Sequence, residues 1–369
     1  MTSRWVLVAD GANGRDSKTR SSVAAVRALA DAGYRVAVTV GGGVSWAAAS
    51  RYCERTVMVP PVSEPGYAAA IAEELSRNDY VTVLPASDAA VMALEPGAAP
   101  LLDKVELGRR VRAAGLPVLR ERVFRSPDDM LAGSDDISFP ALVKPTIQRG
   151  APMIAGRPED LERARVYSGE VLVQPFVEAP SRAVCGVVWR GQMLASVHQD
   201  HLRLWPRQLG NVCAAVTVEP DLDLEERLLR VLEGHDGIFQ AQFIGPYLID
   251  VHPRVYASHP LAIAAGVNLV AVQCALVQGA NVPPVRGRAG AFYRWIQGDV
   301  CHFAVGIKRH ENRFMEAISE LRPRAGTAHS MESLRDPRPI AARLTYGAKR
   351  LARAGVKGRV RRAPAPNPR

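Results

Sequence analysis

The sequence predicts an α/β chain that passes into an α+β one. An open, mostly parallel sheet is expected over residues 1–98, a strand-rich unit with antiparallel sheets over 99–289, and a mostly helical extension over 290–355. Three observations carry this. The apolar run Trp5-Val-Leu-Val-Ala is followed by a helical stretch and then by Arg35-Val-Ala-Val-Thr-Val, a strand–helix–strand unit. After Phe139 the pattern changes to short strand-like runs broken by turns such as Arg190-Gly191. Residues 242–268 then place Gln242, Asp250, His252 and Arg254 in an otherwise apolar hairpin turned at Gly245-Pro246. Side chains alternate along a strand, so Asp250 and His252 share one face, and Gln242 can point the same way.

The bulk properties narrow the class. With 369 residues, 47% hydrophobic and 23% charged, the composition is that of a soluble globular protein. No apolar stretch approaches the roughly 18–20 residues of a membrane span, and the run from Val6 is too short for a signal-peptide core. A cytoplasmic protein is expected. The five cysteines are odd in number and scattered, without a C-x-x-C pair, which argues against a disulfide framework or a zinc knuckle. The net charge of +10 is uneven: from Arg286 onward there are 19 Lys and Arg against 6 Asp and Glu. The tail over 356–369, rich in Arg and Pro, reads as disordered. It lacks interleaved aromatics, so no specific nucleic acid is expected. Weak contact with polyanions or an anionic membrane stays open, as does a homo-oligomer.

Taken in order, the first strand ends in Asp10-Gly-Ala-Asn-Gly14, and a helix bearing Val23, Val26 and Ala30 stops at Gly33. Strands follow at 56–59 and 81–84, with a helix over 67–76. The sheet is Rossmann-like, but the dinucleotide fingerprint lacks its third glycine and the acid after the second strand, so the glycines read as a structural turn. Ala98-Ala-Pro100 marks a boundary. A helix over 103–114 is expected to end at Gly115. Beyond it, strands are expected at 171–177, 183–189, 192–198, 214–218, 239–244 and 247–251, and an amphipathic helix at 222–232. Lys144 ends an apolar strand bracketed by Pro140 and Pro145, where an ammonium is expensive without an anion.

Asp103-Lys104, Phe139-Pro-Ala-Leu-Val-Lys-Pro145, Glu170-Val-Leu-Val-Gln-Pro-Phe-Val-Glu178 and the hairpin, in this order, resemble the ATP-grasp superfamily. That superfamily includes carbamoyl-phosphate synthetases, D-alanine–D-alanine ligases and many carboxylate–amine ligases. The resemblance covers roughly residues 5–285 and takes in Val83-Leu-Pro-Ala-Ser-Asp88 and Ala265-Gly-Val-Asn-Leu269. It implies a pre-ATP-grasp sheet followed by a two-lobed ATP-grasp domain with a lid over about 120–172. It also implies an ADP-forming ligase that joins a carboxylate to an amine through an acyl phosphate.

The implied roles are specific. Lys104 and Lys144 would contact ATP phosphates, and Gln174, Pro175, Phe176 and Val177 would form the adenine hinge. Glu178 would meet the ribose, and Gln242, Asp250 and His252 would hold Mg2+ (or Mn2+). Arg254, with Lys144, would be catalytic and steady the phosphorylated intermediate; Arg203 or Arg207 would be a further phosphate ligand. Three departures stand out: Asp250 for the usual Glu, His252 for the usual Asn, and only Gly150 in the loop after Lys144. They leave a second reading, a catalytically degenerate nucleotide-binding protein in a regulatory or scaffold role. Tyr293-Arg-Trp-Ile-Gln-Gly-Asp299 and Asp336-Pro-Arg-Pro339 resemble the C-terminal extension of some bacterial ATP-grasp ligases.

Overall fold

The computed structural model describes residues 4–10, 12, 14, 16–147 and 151–348. Gly11 and Asn13 of the glycine turn, Gly150, and the basic tail over 356–369 lie outside the described residues. Elements β1 (Trp5–Ala9), α1 (Arg20–Asp31), β2 (Arg35–Val40), β3 (Cys53–Met58), α2 (Tyr67–Arg77), β4 (Tyr80–Pro85) and α3 (Asp88–Leu94) build a parallel sheet in the order β3-β2-β1-β4. The first strand shows no alternation because both of its faces are covered. Val6 and Val8 pack with Val23, Val26 and Leu29 of α1, whereas Leu7 and Ala9 pack with Val57, Tyr67 and Ile71.

Helix α4 (Lys104–Ala113) begins on Asp103, whose Oδ1 accepts the backbone N–H of Val105 and Glu106 at 2.8 and 3.1 Å. It ends before Gly115, whose φ of +73° is a left-handed conformation that costs glycine nothing. A small antiparallel sheet follows, made of β5 (Arg122–Phe124), β6 (Ala141–Pro145), β7 (Met153–Ala155) and β8 (Val171–Pro175) in the order β5-β8-β6-β7. With α5 (Pro127–Ala132) it has an apolar cluster of its own, including Met130, Val143, Leu161 and Val173.

The remaining elements are β9 (Ser181–Trp189), β10 (Gln192–Trp205), β11 (Asn211–Val218), α6 (Leu222–Val231), β12 (Gly237–Ile244), β13 (Tyr247–His252), α7 (His259–Ala264), α8 (Leu269–Val277), β14 (Val285–Arg286), β15 (Phe292–Arg294), α9 (Ile296–Lys308), α10 (Phe314–Leu321) and β16 (Ala328–His329). Their strands form one large sheet ordered β13-β12-β9-β10-β11-β15-β16, with β14 beside β10. One face buries Val184, Phe239 and Phe243 against Leu107 of α4 and Leu228 of α6. The other buries Cys185, Val187 and Val197 in the same cluster as Val6 and Val8, so the parallel sheet and the large sheet share a core.

Two features differ from expectation. Strand β10 runs to Trp205 instead of stopping at 198, because residues beyond His198 keep pairing with β11 across an irregular register. The segment after residue 290 also adds strands as well as helices: β15 pairs antiparallel with β11 and β16 parallel with β15. Strands of two or three residues are too short for alternation to be read.

Two buried acids fasten this segment. Asp336 accepts from Arg27 Nε at 2.9 Å, Ser50 Oγ at 2.7 Å and the Arg51 amide at 2.9 Å. Asp299 accepts from Arg203 through both oxygens, at 2.6 and 3.1 Å, and pairs with Arg294. Between β10 and β11 the chain turns tightly, and a Cβ at Gly210 would lie 2.0–2.2 Å from backbone atoms of Trp205 and Pro206. Gly210→Ala is therefore expected to cost roughly 3 kcal/mol, read as a lower urea midpoint with an unchanged slope. Among the described residues, no helix is long and apolar enough to cross a membrane.

Candidate active site

Three elements bring charged side chains together. Lys104 is the first residue of α4, Lys144 lies in β6, and Asp250 lies in β13. The Lys104 amide donates to the Thr146 carbonyl at 3.0 Å, which pins α4 to the end of β6 and sets the two lysines side by side. Lys104 Nζ donates to Asp250 Oδ1 at 3.0 Å, and Lys144 Nζ to the Ile249 carbonyl at 3.4 Å. Both ammonium groups are buried, at 8% and 7% exposure, which is unusual for lysine and argues for a compensating anion. A cleft lies against them, between the small sheet and the edge of the large one. Gln174, Glu121, Leu248 and Ile249 line it, with Leu107, Val111, Val118 and Leu119 as an apolar wall.

The electrostatics follow from burial and from mutual proximity. Burial pulls the Lys144 ammonium down to about 8; Lys104 adds to the fall, while Asp250 and Glu121 oppose it. Burial pushes the Asp250 carboxyl up, but Lys104, His252 and Lys144 outweigh it and hold the group below the usual carboxylate range. Burial raises the Glu121 carboxyl, against the pull of Lys144 and Arg112. Lys104 and Lys144 thus share their surroundings with two carboxylates, Asp250 and Glu121.

The strand ladder sets the next row. Gln242 lies opposite Asp250 and Gln240 opposite His252, and Gln242 Nε2 donates to Gln240 Oε1 at 3.3 Å. His252 Nδ1 lies 3.2 Å from Asp88 Oδ1, and the Arg254 guanidinium pairs with the same carboxylate. Burial pushes the Asp88 carboxyl up, yet Arg254 and His252 hold it far below the ordinary value. Asp88 opens α3, immediately after β4, so this pair joins the hairpin to the parallel sheet. Among the described residues, no three His, Cys, Asp or Glu side chains converge as a metal site.

The architecture can be set beside solved structures. No family model matches the sequence, and no curated protein matches it. An L-amino acid ligase from Bacillus licheniformis superimposes with a TM-score of 0.56 over 75% of each chain, at 16% identity. N5-carboxyaminoimidazole synthetase from Staphylococcus aureus, complexed with ADP, gives a TM-score of 0.61 at 10% identity, covering 77% of this chain and 80% of that one. A biotin carboxylase–ATP complex from Campylobacter jejuni gives 0.56 at 12% identity, over 76% and 72%. The chain has the ATP-grasp fold.

Within this ATP-grasp fold, Lys104, Lys144 and Gln174 line one cleft, and Asp250, opposite Gln242 on the strand ladder, pairs with Lys104. Phe176 continues from β8, its amide bonded to the Pro140 carbonyl at 2.9 Å, flanked by Pro175 and Val177. Glu178 is exposed and accepts from Gln208 Nε2 at 3.1 Å. Arg203 sits elsewhere. The long β10 carries it to α9, where Asp299 and Glu320 hold its guanidinium, and Arg207 is likewise held by Glu311 and Asn312. His252 faces Asp88 rather than standing as a free ligand. Asp88, Glu121 and Gln240 were not assigned from the sequence. Only Gln240 had a local signal, two residues before Gln242 on the same face.

Proposed function

We propose that the protein is an ATP-dependent ligase that joins a carboxylate to an amine through an acyl phosphate, releasing ADP and phosphate. The convergence of Lys104 and Lys144 on one cleft, with Asp250 paired to Lys104, carries this reading. Two buried ammonium groups suit a triphosphate, and the apolar wall with Gln174 suits an adenine ring. The donor set fits magnesium, which takes one or two protein carboxylates and leaves its other positions to phosphate and water. Asp250 and the Gln242 amide would hold it, and the ion would neutralise charge on the β- and γ-phosphates.

The chain's own groups would supply orientation and positive charge. Lys104 and Lys144 would fix the phosphates, and Arg254 would stabilise the oxyanion as the amine displaces phosphate. Asp88 holds the Arg254 guanidinium, so its direction is set before substrate arrives. Burying the acyl phosphate would protect it from water.

The test is ADP release from ATP with a panel of carboxylic acids and amines. A productive pair is expected, and Lys104→Met is expected to weaken ATP binding about tenfold, the loss of one charge-assisted contact. Failure of the wild type both to bind ATP and to release ADP would remove the proposal.

A further inference from the structure

Several partly buried arginines are neutralised by an acid: Arg27 by Asp336, Arg203 by Asp299, Arg254 by Asp88. Arg20 and Arg343 are not. Among the described residues, neither has a carboxylate within ion-pair distance, although both are half-buried. Arg20 lies 3.8 Å over the Trp295 ring and donates to the hydroxyls of Tyr293 at 3.2 Å and Ser330 at 3.3 Å. Arg343, in the helical stretch 338–348, lies 5.5 Å from the Trp46 ring centre. Burial weakens its hold on a proton and Arg20 adds to that, with Glu332 opposing. One helical turn on, Tyr346 accepts from Lys18 Nζ at 2.9 Å, an ammonium that itself pairs with Asp16 at 3.9 Å. The indole N–H groups of Trp46 and Trp295 are buried without an acceptor.

Position adds a separate argument. Arg20 opens α1 just after the β1 loop, and Trp46 follows β2, so both lie at the carboxyl end of the parallel strands. Open α/β sheets take ligands at that end. The Tyr293 hydroxyl also donates to the Ala257 carbonyl at 3.4 Å, in the stretch that follows Arg254. The cation cluster therefore adjoins the segment that carries the oxyanion-binding arginine.

We propose that Arg20 and Arg343 form an anion site that takes a carboxylate or phosphoryl group of a substrate, separate from the nucleotide cleft. The inference rests on the ligase reading for the word substrate; the anion site itself does not. Guanidinium groups bind both anions through paired N–H donors, so the site defines a substrate class bearing an anionic group away from the reacting centre.

The test is calorimetric titration of the full chain with inorganic phosphate, succinate and ADP at constant ionic strength. Phosphate or succinate should bind the wild type. Arg20→Met and Arg343→Met should each weaken that binding about tenfold while leaving ADP binding unchanged, the loss of one charged contact. Binding of phosphate alone supports a phosphoryl source, and binding of succinate alone a carboxylate source. If Arg20→Met fails to fold, Arg343→Met, on the outer helix, still decides the matter. Anion binding without ADP binding would overturn the ligase reading and leave the anion site standing. Absence of binding by both anions, or variants that bind like the wild type, would overturn the site.

Discussion

Replacing Lys144 by methionine is expected to stabilise the ligand-free protein near neutral pH while reducing ADP release at least a hundredfold. The lysine is buried, and burial pulls its ammonium from 10.5 down to about 8. The unfolded chain therefore holds a proton that the folded chain holds less tightly. Between pH about 8 and about 10.5 the unfolded state binds more protons, so stability rises with pH across that window. Below it the penalty is complete, on the order of 3 kcal/mol, and above it the penalty vanishes. Methionine keeps the length of the side chain without its charge, and Asp250 retains Lys104 as a partner. Urea midpoints of the two proteins, compared from pH 7 upward, should converge as pH rises. A variant less stable than the wild type at every pH would refute the argument. Turnover moves the other way, because loss of a preorganised charge at a reacting phosphate costs about 10²–10³ in rate. Saturating ATP should likewise favour the wild type, since only the protein that binds ligand gains from mass action.

Asp336→Ala should be the most damaging single change outside the cleft. The carboxylate has no exposure, and its two oxygens satisfy Arg27, Ser50 and the Arg51 amide together. Alanine leaves a largely buried guanidinium without its counter-charge, which costs about 3–5 kcal/mol. Asp336→Asn keeps one acceptor oxygen and should cost less. Denaturant unfolding of the pair reads this directly. A loss under about 1 kcal/mol in the alanine variant would mean that water replaces the carboxylate.

The legible parts of the sequence were those governed by local rules. The strand–helix alternation, the stop at Gly115 and the hairpin at Gly245-Pro246 each follow from a few adjacent residues. The grouping of Lys104, Lys144 and Asp250 came from the resemblance, and the structure brings them together. What escaped was contact across long separations. Nothing near Arg254 announces that a carboxylate 166 residues earlier will take it. The partner of Arg203 escaped for a related reason: the strand bearing it continues past 198, so the side chain arrives at α9 and pairs with Asp299. Strands β15 and β16 are too short to carry a period at all.

The shared apolar cluster that runs from Val6 and Val8 to Cys185 and Val197 has a mechanical consequence. Prising the parallel layer from the large sheet would expose that whole interior to water, so these two pieces behave as a single anvil. The small sheet has its own separate core and is tied to α4 by the Lys104–Thr146 bond. Any breathing of the cleft should therefore come from one jaw, while the Asp250 side stays put and keeps its aim.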